Sequence, residues 1–596
     1  MPTESFFSQS SLAYIASAGA GKDGKAYSIR PTDGTGDFTF SRGSNLAATR
    51  VGADGLIEKG RENVLLQSNQ FDTTWVKSNT TITGGQADKD GGTNAWKLNE
   101  TSTPSEHQLR QNFQQSGVYC LSIYAKAAER DVILFRMNLS GSWTNVFFNL
   151  TSGSVVSTGG FVTATITSVG NGWYRCEAVF NNITGSTIQY QLGLNNTTYS
   201  YAGEVGKGIL VQDAQLEVGL AATEYIESGA TTGTAGILEN TPRFDYSNGA
   251  SCPSLLLEPS RTNLISQSEY FGSYINYGSA DTANSAISVQ GVNNATLIAG
   301  NGTQNQVYTA SPDISVTSAG LYTLSIFAKK GTNNYFRLYL DGFAGSSNNG
   351  AYFDLLNGST PTSGASIKDY GNGWYKCSIT ATIVSGDLVG KLAFNVTPNT
   401  NSVFFSSASE ANGKNIYIYG ATLEAGSYPT SYIPTYGTSQ TRAADVCGGA
   451  GDANTFNSTE GVLYAEIAAF EGSDNTFAIS LSDGSSNNRI FLSLRTPQSI
   501  YRAYSTGGGD INFTGLDVTS LSKVAVRYSL NNFSLWINGV KRSETLSYAG
   551  IPANTLNNLS FDRNGAGELD FYGNVKQVLT FKTALSDADL ATLTTI

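Results

Sequence analysis

Arg61-Glu-Asn-Val-Leu-Leu-Gln-Ser-Asn-Gln-Phe71 returns as Arg261-Thr-Asn-Leu-Ile-Ser-Gln-Ser-Glu-Tyr-Phe271, and Gly170-Asn-Gly-Trp-Tyr-Arg-Cys176 returns as Gly371-Asn-Gly-Trp-Tyr-Lys-Cys377. Leu216-Glu-Val-Gly219 returns as Leu423-Glu-Ala-Gly426, so the offset drifts only from 200 through 201 to 207 while the order is kept. This is the mark of a duplicated domain with small loop insertions. Solenoid repeats have periods of roughly 20–50 residues, far shorter than this one. Whole-domain duplication favours a binding or building role, because linked weak sites gain avidity.

Within each copy the strands alternate with period two. Gly117-Val-Tyr-Cys-Leu-Ser-Ile-Tyr-Ala-Lys126 places Tyr119, Leu121, Ile123 and Ala125 on one face and Cys120 on the other. Gly320–Lys329 repeats the pattern, and Asn-Gly before Trp173 and before Trp374 signals a tight turn into a strand. Farther on, Lys523–Tyr528 and Phe533–Ile537 alternate around Asn531-Asn532, Asn538-Gly539 turns the chain again, and Ser586–Leu593 forms a short capped helix. The fold class is all-β, with tandem jelly-roll β-sandwiches followed by a further sandwich. The expected organisation is a leader over 1–52, module 1 over 53–235, a linker and module 2 over 236–445, and a C-terminal unit over 455–596.

Composition narrows the function classes. Charged residues are 14%, the net charge is −11 and the sequence pI is about 4.8. Nucleic acid and anionic membrane surfaces call for Lys and Arg clusters, so neither is an expected partner. No apolar stretch approaches the roughly 20 residues needed to span a bilayer, and the N-terminus lacks a signal-peptide pattern, so the chain is expected to be made in a cytoplasm. Five cysteines, an odd number, with Cys176 and Cys377 on apolar faces, point to core thiols rather than disulfides.

Catalytic chemistry finds little material. The single histidine, His107, lies in a polar stretch and reads as a solvated loop residue, which leaves no partner for a two-histidine metal site. Glu460, Glu466 and Glu471 do not match the paired-acid pattern of a glycoside hydrolase, and the chain is expected not to be an enzyme. Sugar binding needs exposed flat aromatics. Trp143 sits in a loop-like stretch, while Trp173 and Trp374 follow the turn in both copies as either second-face packing or groove platforms. These three are the candidate ligand-binding residues. No cofactor is expected. A structural Ca²⁺ ion would find oxygen ligands at Glu217 and Glu424, which could equally pair with Arg61 or Arg261.

Two resemblances extend this reading. Lys523-Val-Ala-Val-Arg-Tyr528, Leu535-Trp-Ile-Asn-Gly-Val540, Val575–Phe581 and Ala584–Leu590 resemble the laminin-G/concanavalin A-like sandwich. Arg261-Thr-Asn-Leu264, Gly371–Tyr375, Gly420–Gly426 and Thr430–Pro434 resemble carbohydrate-binding-module-type jelly rolls of bacteriophage structural proteins, and Phe38–Ser44, Ala48–Val51 and Asp54–Ile57 are similar to the start of phage tail-fibre proteins. The resemblance implies a virion surface protein, a fibre, spike or decoration, that attaches to host-surface glycans. It also implies that the leader docks to other virion proteins, that the last unit points outward and that the chain forms a homo-oligomer, a trimer. The alternatives are a purely architectural head or tail component and an accessory carbohydrate-binding protein of a polysaccharide-degrading system.

Overall fold

The computed structural model describes residues 5–18, 21–22, 24–43, 46–113, 116–139, 142–182, 186–194, 197–343, 350–470 and 475–596. Helices among them are confined to three α-helical segments of four to eight residues and one 3₁₀ turn; the rest of the regular structure is antiparallel sheet. The all-β class with tandem sandwiches is confirmed.

Each repeat is a two-sheet sandwich. In module 1, Gly117–Ala127 lies between Trp173–Asn182 and Gly208–Val218, and the facing sheet is centred on Val132–Leu139, between Ser142–Asn149 and Ser186–Gly193. Module 2 repeats this with Gly320–Lys330 between Trp374–Ile383 and Asn415–Ala425, faced by Tyr335–Asp341 between Gly350–Asp354 and Val389–Thr397. Alternation sets the cores: Leu121, Ile123, Cys176 and Phe180 meet Phe135, Phe148 and Tyr190 in the first, and Leu324, Ile326 and Cys377 meet Phe336, Phe353 and Phe394 in the second. The turns before Trp173 and Trp374 use left-handed Asn171-Gly172 and Asn372-Gly373, as a two-residue hairpin loop of this sequence requires.

The C-terminal sandwich is not built from 455–596 alone. Its eight-stranded sheet takes Leu12–Ile15 from the N-terminal segment and Arg243–Asp245 and Ser254–Leu257 from the inter-module segment. Leu12–Ile15 and Ser254–Leu257 pair with successive halves of Gly573–Phe581 along the same edge. Phe38–Ser41 pairs with Val446–Gly448, and Leu12, Tyr14, Phe38, Phe40, Leu255 and Leu257 are buried in the same core as Leu463, Val526 and Phe571. This corrects the expectation of an inward-docking leader opposite an outward C-terminal unit. The apolar side chains of 1–52 have their core inside the chain, so both ends share one body.

Where these segments meet lies a buried ionic network. Asp445 accepts from Arg42 at 3.2 Å and also from Arg243, while Glu258 accepts from Arg243 at 2.6 Å and forms an ion pair with Arg442 at 2.9 Å. The network joins the N-terminal segment, the inter-module segment and the end of module 2. Burial pushes the Glu258 carboxyl up, but the charges of Arg442 and Arg243 outweigh it and hold Glu258 below the usual carboxylate range.

Tyr14 is fully buried and meets Phe38 edge-on at 5.4 Å. Tyr14→Ala is expected to cost about 3–5 kcal/mol, the usual range for truncating a large buried aromatic. The measurement is a denaturant melt followed at the C-terminal unit, and an unchanged midpoint would contradict the shared core.

Candidate functional site

On the outer face of the second sheet of each module, a central arginine lies against aromatic rings. Arg136 follows Phe135 and precedes Met137 on a strand whose alternate residues Ile133, Phe135 and Met137 fill the core, so its side chain emerges on the opposite face. Its guanidinium carbon sits 4.5 Å from the ring centroids of both Trp143 and Tyr199, and Glu106 pairs with it. Arg337 occupies the equivalent place, 201 residues on, the same spacing as Trp173 and Trp374. It lies 4.3 Å from the Tyr339 ring and 5.7 Å from that of Tyr352. A guanidinium stacked on a ring directs its N–H edge sideways to a polar partner, as Arg136 does to Glu106.

The face is broader in module 2. Register places Tyr277, Tyr308, Asn395, Arg337 and Tyr352 in a single row across five strands. Tyr277 is 50% exposed at the rim, Asn395 is fully buried at the centre, and Asn395 Oδ1 has no hydrogen-bond partner among the described residues. Tyr308 donates to Asp341 at 2.8 Å, and burial raises the Tyr308 and Tyr339 hydroxyls, so both remain neutral. Gly350 makes the arrangement fit: a Cβ there would lie 2.5 Å from Tyr339 Cβ and 3.0 Å from Arg337 Nε. Ring faces beside amide, guanidinium and carboxylate groups can stack on the C–H face of a sugar and meet its hydroxyls.

Of the residues singled out from sequence, Trp143 belongs to this site; it is 45% exposed. Trp173 and Trp374 do not, since each is only 1% exposed. Trp374 packs with Ile57, Val289, Phe327 and Tyr419, and its Nε1 donates to the Ile287 carbonyl at 3.1 Å. Covered rings cannot serve as platforms. Glu217 and Glu424 are not open metal ligands either. Each is buried and accepts from the backbone and hydroxyl of a threonine six residues on, Thr223 and Thr430, fixing the turn after the last strand. Among the described residues no group of three His, Cys, Asp or Glu is placed to hold a metal.

His107 is buried rather than solvated, with its ring nitrogens 2.7 Å and 3.2 Å from the carbonyls of Asn79 and Tyr201. The strand pair Pro104–Glu106 and Ser200–Ala202 brings Tyr201 over it. Glu460 accepts from the Ala584 amide at 3.4 Å, and Glu471 lies outside the described residues. Arg136 and Arg337 were missed in the sequence. Their signal is the shared Phe-Arg-Met/Leu step, a charge within an otherwise apolar alternation at the same place in both copies.

No family model matches the chain, and no curated protein matches it. Solved structures give only faint likenesses. Domain 4 of a GH43 extracellular arabinanase from Geobacillus stearothermophilus, in complex with arabinotriose, aligns over 25% of this chain and 73% of its own at 13% identity, with a TM-score of 0.21. Domains LG4-5 of the mouse laminin alpha1 chain align over 48% and 90% at 10% identity (TM-score 0.17), and Trypanosoma rangeli sialidase over 93% and 98% at 8% identity (TM-score 0.20).

Burial raises the Glu217 carboxyl from 4.5 to about 7. A carboxyl raised in the fold stabilises below its unfolded value and loses that contribution as pH climbs, here between about 4.5 and about 7. Glu217→Gln should therefore flatten the fall in melting temperature across that window. A melting profile of the variant that still tracks the parent at every pH would contradict this.

Proposed function

We propose that this chain is a bacteriophage virion surface protein, a fibre, spike or decoration, that attaches to host-surface glycans through its two arginine–aromatic faces. The observation that carries the reading is the duplication of the site itself: a guanidinium between rings, on the same face of both modules, at the same repeat spacing. A single open face of this kind holds a sugar weakly. Two on one chain, multiplied by a homo-oligomer such as a trimer, bind by effective concentration rather than by individual affinity. The role is attachment without turnover.

The shared body of N-terminal segment and C-terminal sandwich is the part we assign to contacts with other virion proteins, which leaves both modules to face the host. What supports this assignment is the pairing of Leu12–Ile15 with Gly573–Phe581, which holds the N-terminal segment and the last unit together.

The test is binding of the full chain to a glycan array and to host cells. Trp143→Ala or Tyr352→Ala alone should weaken binding about tenfold, and the pair together by 100-fold or more, because avidity multiplies the two losses. Wild-type binding by the double variant would sink the attachment reading and leave the architectural one. Light scattering after gel filtration measures the oligomer.

A further inference from the structure

A cavity of about 430 Å³ lies where module 2, the N-terminal segment, the inter-module segment and the C-terminal sandwich meet. A second depression of about 490 Å³ shares Val51, Ser247, Lys368 and Tyr370 with it. These volumes fall within the roughly 300–1,000 Å³ of small-molecule sites. Lys368, Lys376 and Lys576 line the cavity, with the hydroxyl residues Ser366, Ser378 and Thr519. Among the described residues none of the three lysines forms an ion pair. Lys376 is 7% exposed and donates to the Thr430 carbonyl at 2.6 Å, and Lys368 lies 5.6 Å from the Tyr370 ring. Lys576 is the residue skipped where the pairing register shifts between Glu466 and Ile467, and a bulge of this kind re-aims a side chain.

The acids at the cavity are already committed. Glu258 is held between Arg243 and Arg442, Asp245 accepts from the Val51 and Ser247 amides, and the Arg50 charge is matched by Glu58. Burial lowers Lys368 and Lys376, the latter to about 8, and outweighs the opposing pull of Asp245 on the first and of Glu424 and Glu258 on the second.

Comparison of the two copies sharpens the point. In module 1 the place of Lys376 is taken by Arg175, which likewise reaches the threonine carbonyl, and Glu177 pairs with it at 3.2 Å. In module 2 the residue at the Glu177 place is Ser378, and Lys368 stands where module 1 has Thr167. The second copy has exchanged an acid for a hydroxyl and a hydroxyl for a cation, and the cavity opens at that spot. Buried cations with no ion-pair partner are costly, and an oxyanion relieves the cost.

We propose that this inter-unit cavity binds a saccharide unit bearing a carboxylate or phosphate, with the oxyanion on the lysines and the ring hydroxyls on the serines and threonine. The site is separate from the attachment faces and does not depend on them.

Calorimetric titration of the full chain with glucuronate, glucose 6-phosphate and glucose tests it and separates the two oxyanion sources. At least one charged sugar should bind and glucose should not. Lys368→Ser, at a partly exposed position, and Ser378→Glu, which restores the acid of module 1, should each weaken binding tenfold or more while the ligand-free melting temperature of Lys368→Ser stays at the wild-type value. Arg337→Ala should leave this binding unchanged. Equal binding of glucose, no binding of either charged sugar, or undiminished binding by Lys368→Ser would overturn the proposal.

Discussion

The arrangement of the whole chain depends on five buried charged side chains: Arg42, Arg243, Glu258, Arg442 and Asp445. Their side chains are 0–2% exposed. Removing one partner from such a group leaves an uncompensated charge, typically at a cost of about 3–5 kcal/mol. The group also hydrogen-bonds the chain around it. Arg42 holds the Leu238 and Thr241 carbonyls, Arg442 holds that of Pro259, and Ser431 donates to Glu258 through both its amide and its hydroxyl. Three segments distant in sequence, around residues 42, 238–259 and 431–445, are thereby fixed around one point, beside the sheet in which Leu12–Ile15 and Ser254–Leu257 pair with Gly573–Phe581.

The same junction explains why the two copies differ. Module 1 keeps the Arg175–Glu177 pair, whereas module 2 abuts the junction and lines a cavity with cations. The outer faces, away from the junction, keep their common chemistry. Arg136 and Arg337 occupy equivalent register positions, and only the neighbouring rings have changed, Trp143 and Tyr199 in one copy and Tyr339 and Tyr352 in the other. The ring has moved from one strand to its neighbour: Trp143 pairs in register with Asn138, and Gly350 pairs with Tyr339. The arginine keeps an aromatic cover because the small residue opposite makes room for it.

Much of this was legible in the sequence. Alternation over Gly117–Lys126 correctly separated Leu121 and Ile123 from Cys120, which faces Val118 and Val179 in a separate cluster. The Asn-Gly turns and the Ser586 helix cap are local signals, fixed by backbone conformation within a few residues. Burial of Trp173 and Trp374 was not legible, because alternation assigns a face but does not reveal what covers that face. The roles of Glu217 and Glu424 were half legible: their recurrence was visible, their threonine partners were not.

The sequence by itself determined the strands, their turns, the duplication and the apolar face of each sheet, since each is set by short-range periodicity and by conformational preferences of neighbouring residues. Only the tertiary structure decided that Leu12–Ile15 completes a sheet with Gly573–Phe581, that the charges of 42, 243, 258, 442 and 445 converge, and that Arg136 and Arg337 lie among rings. Pairing across hundreds of residues is selected by shape and by the cost of burying unpaired polar groups, and neither quantity exists until the chain has folded.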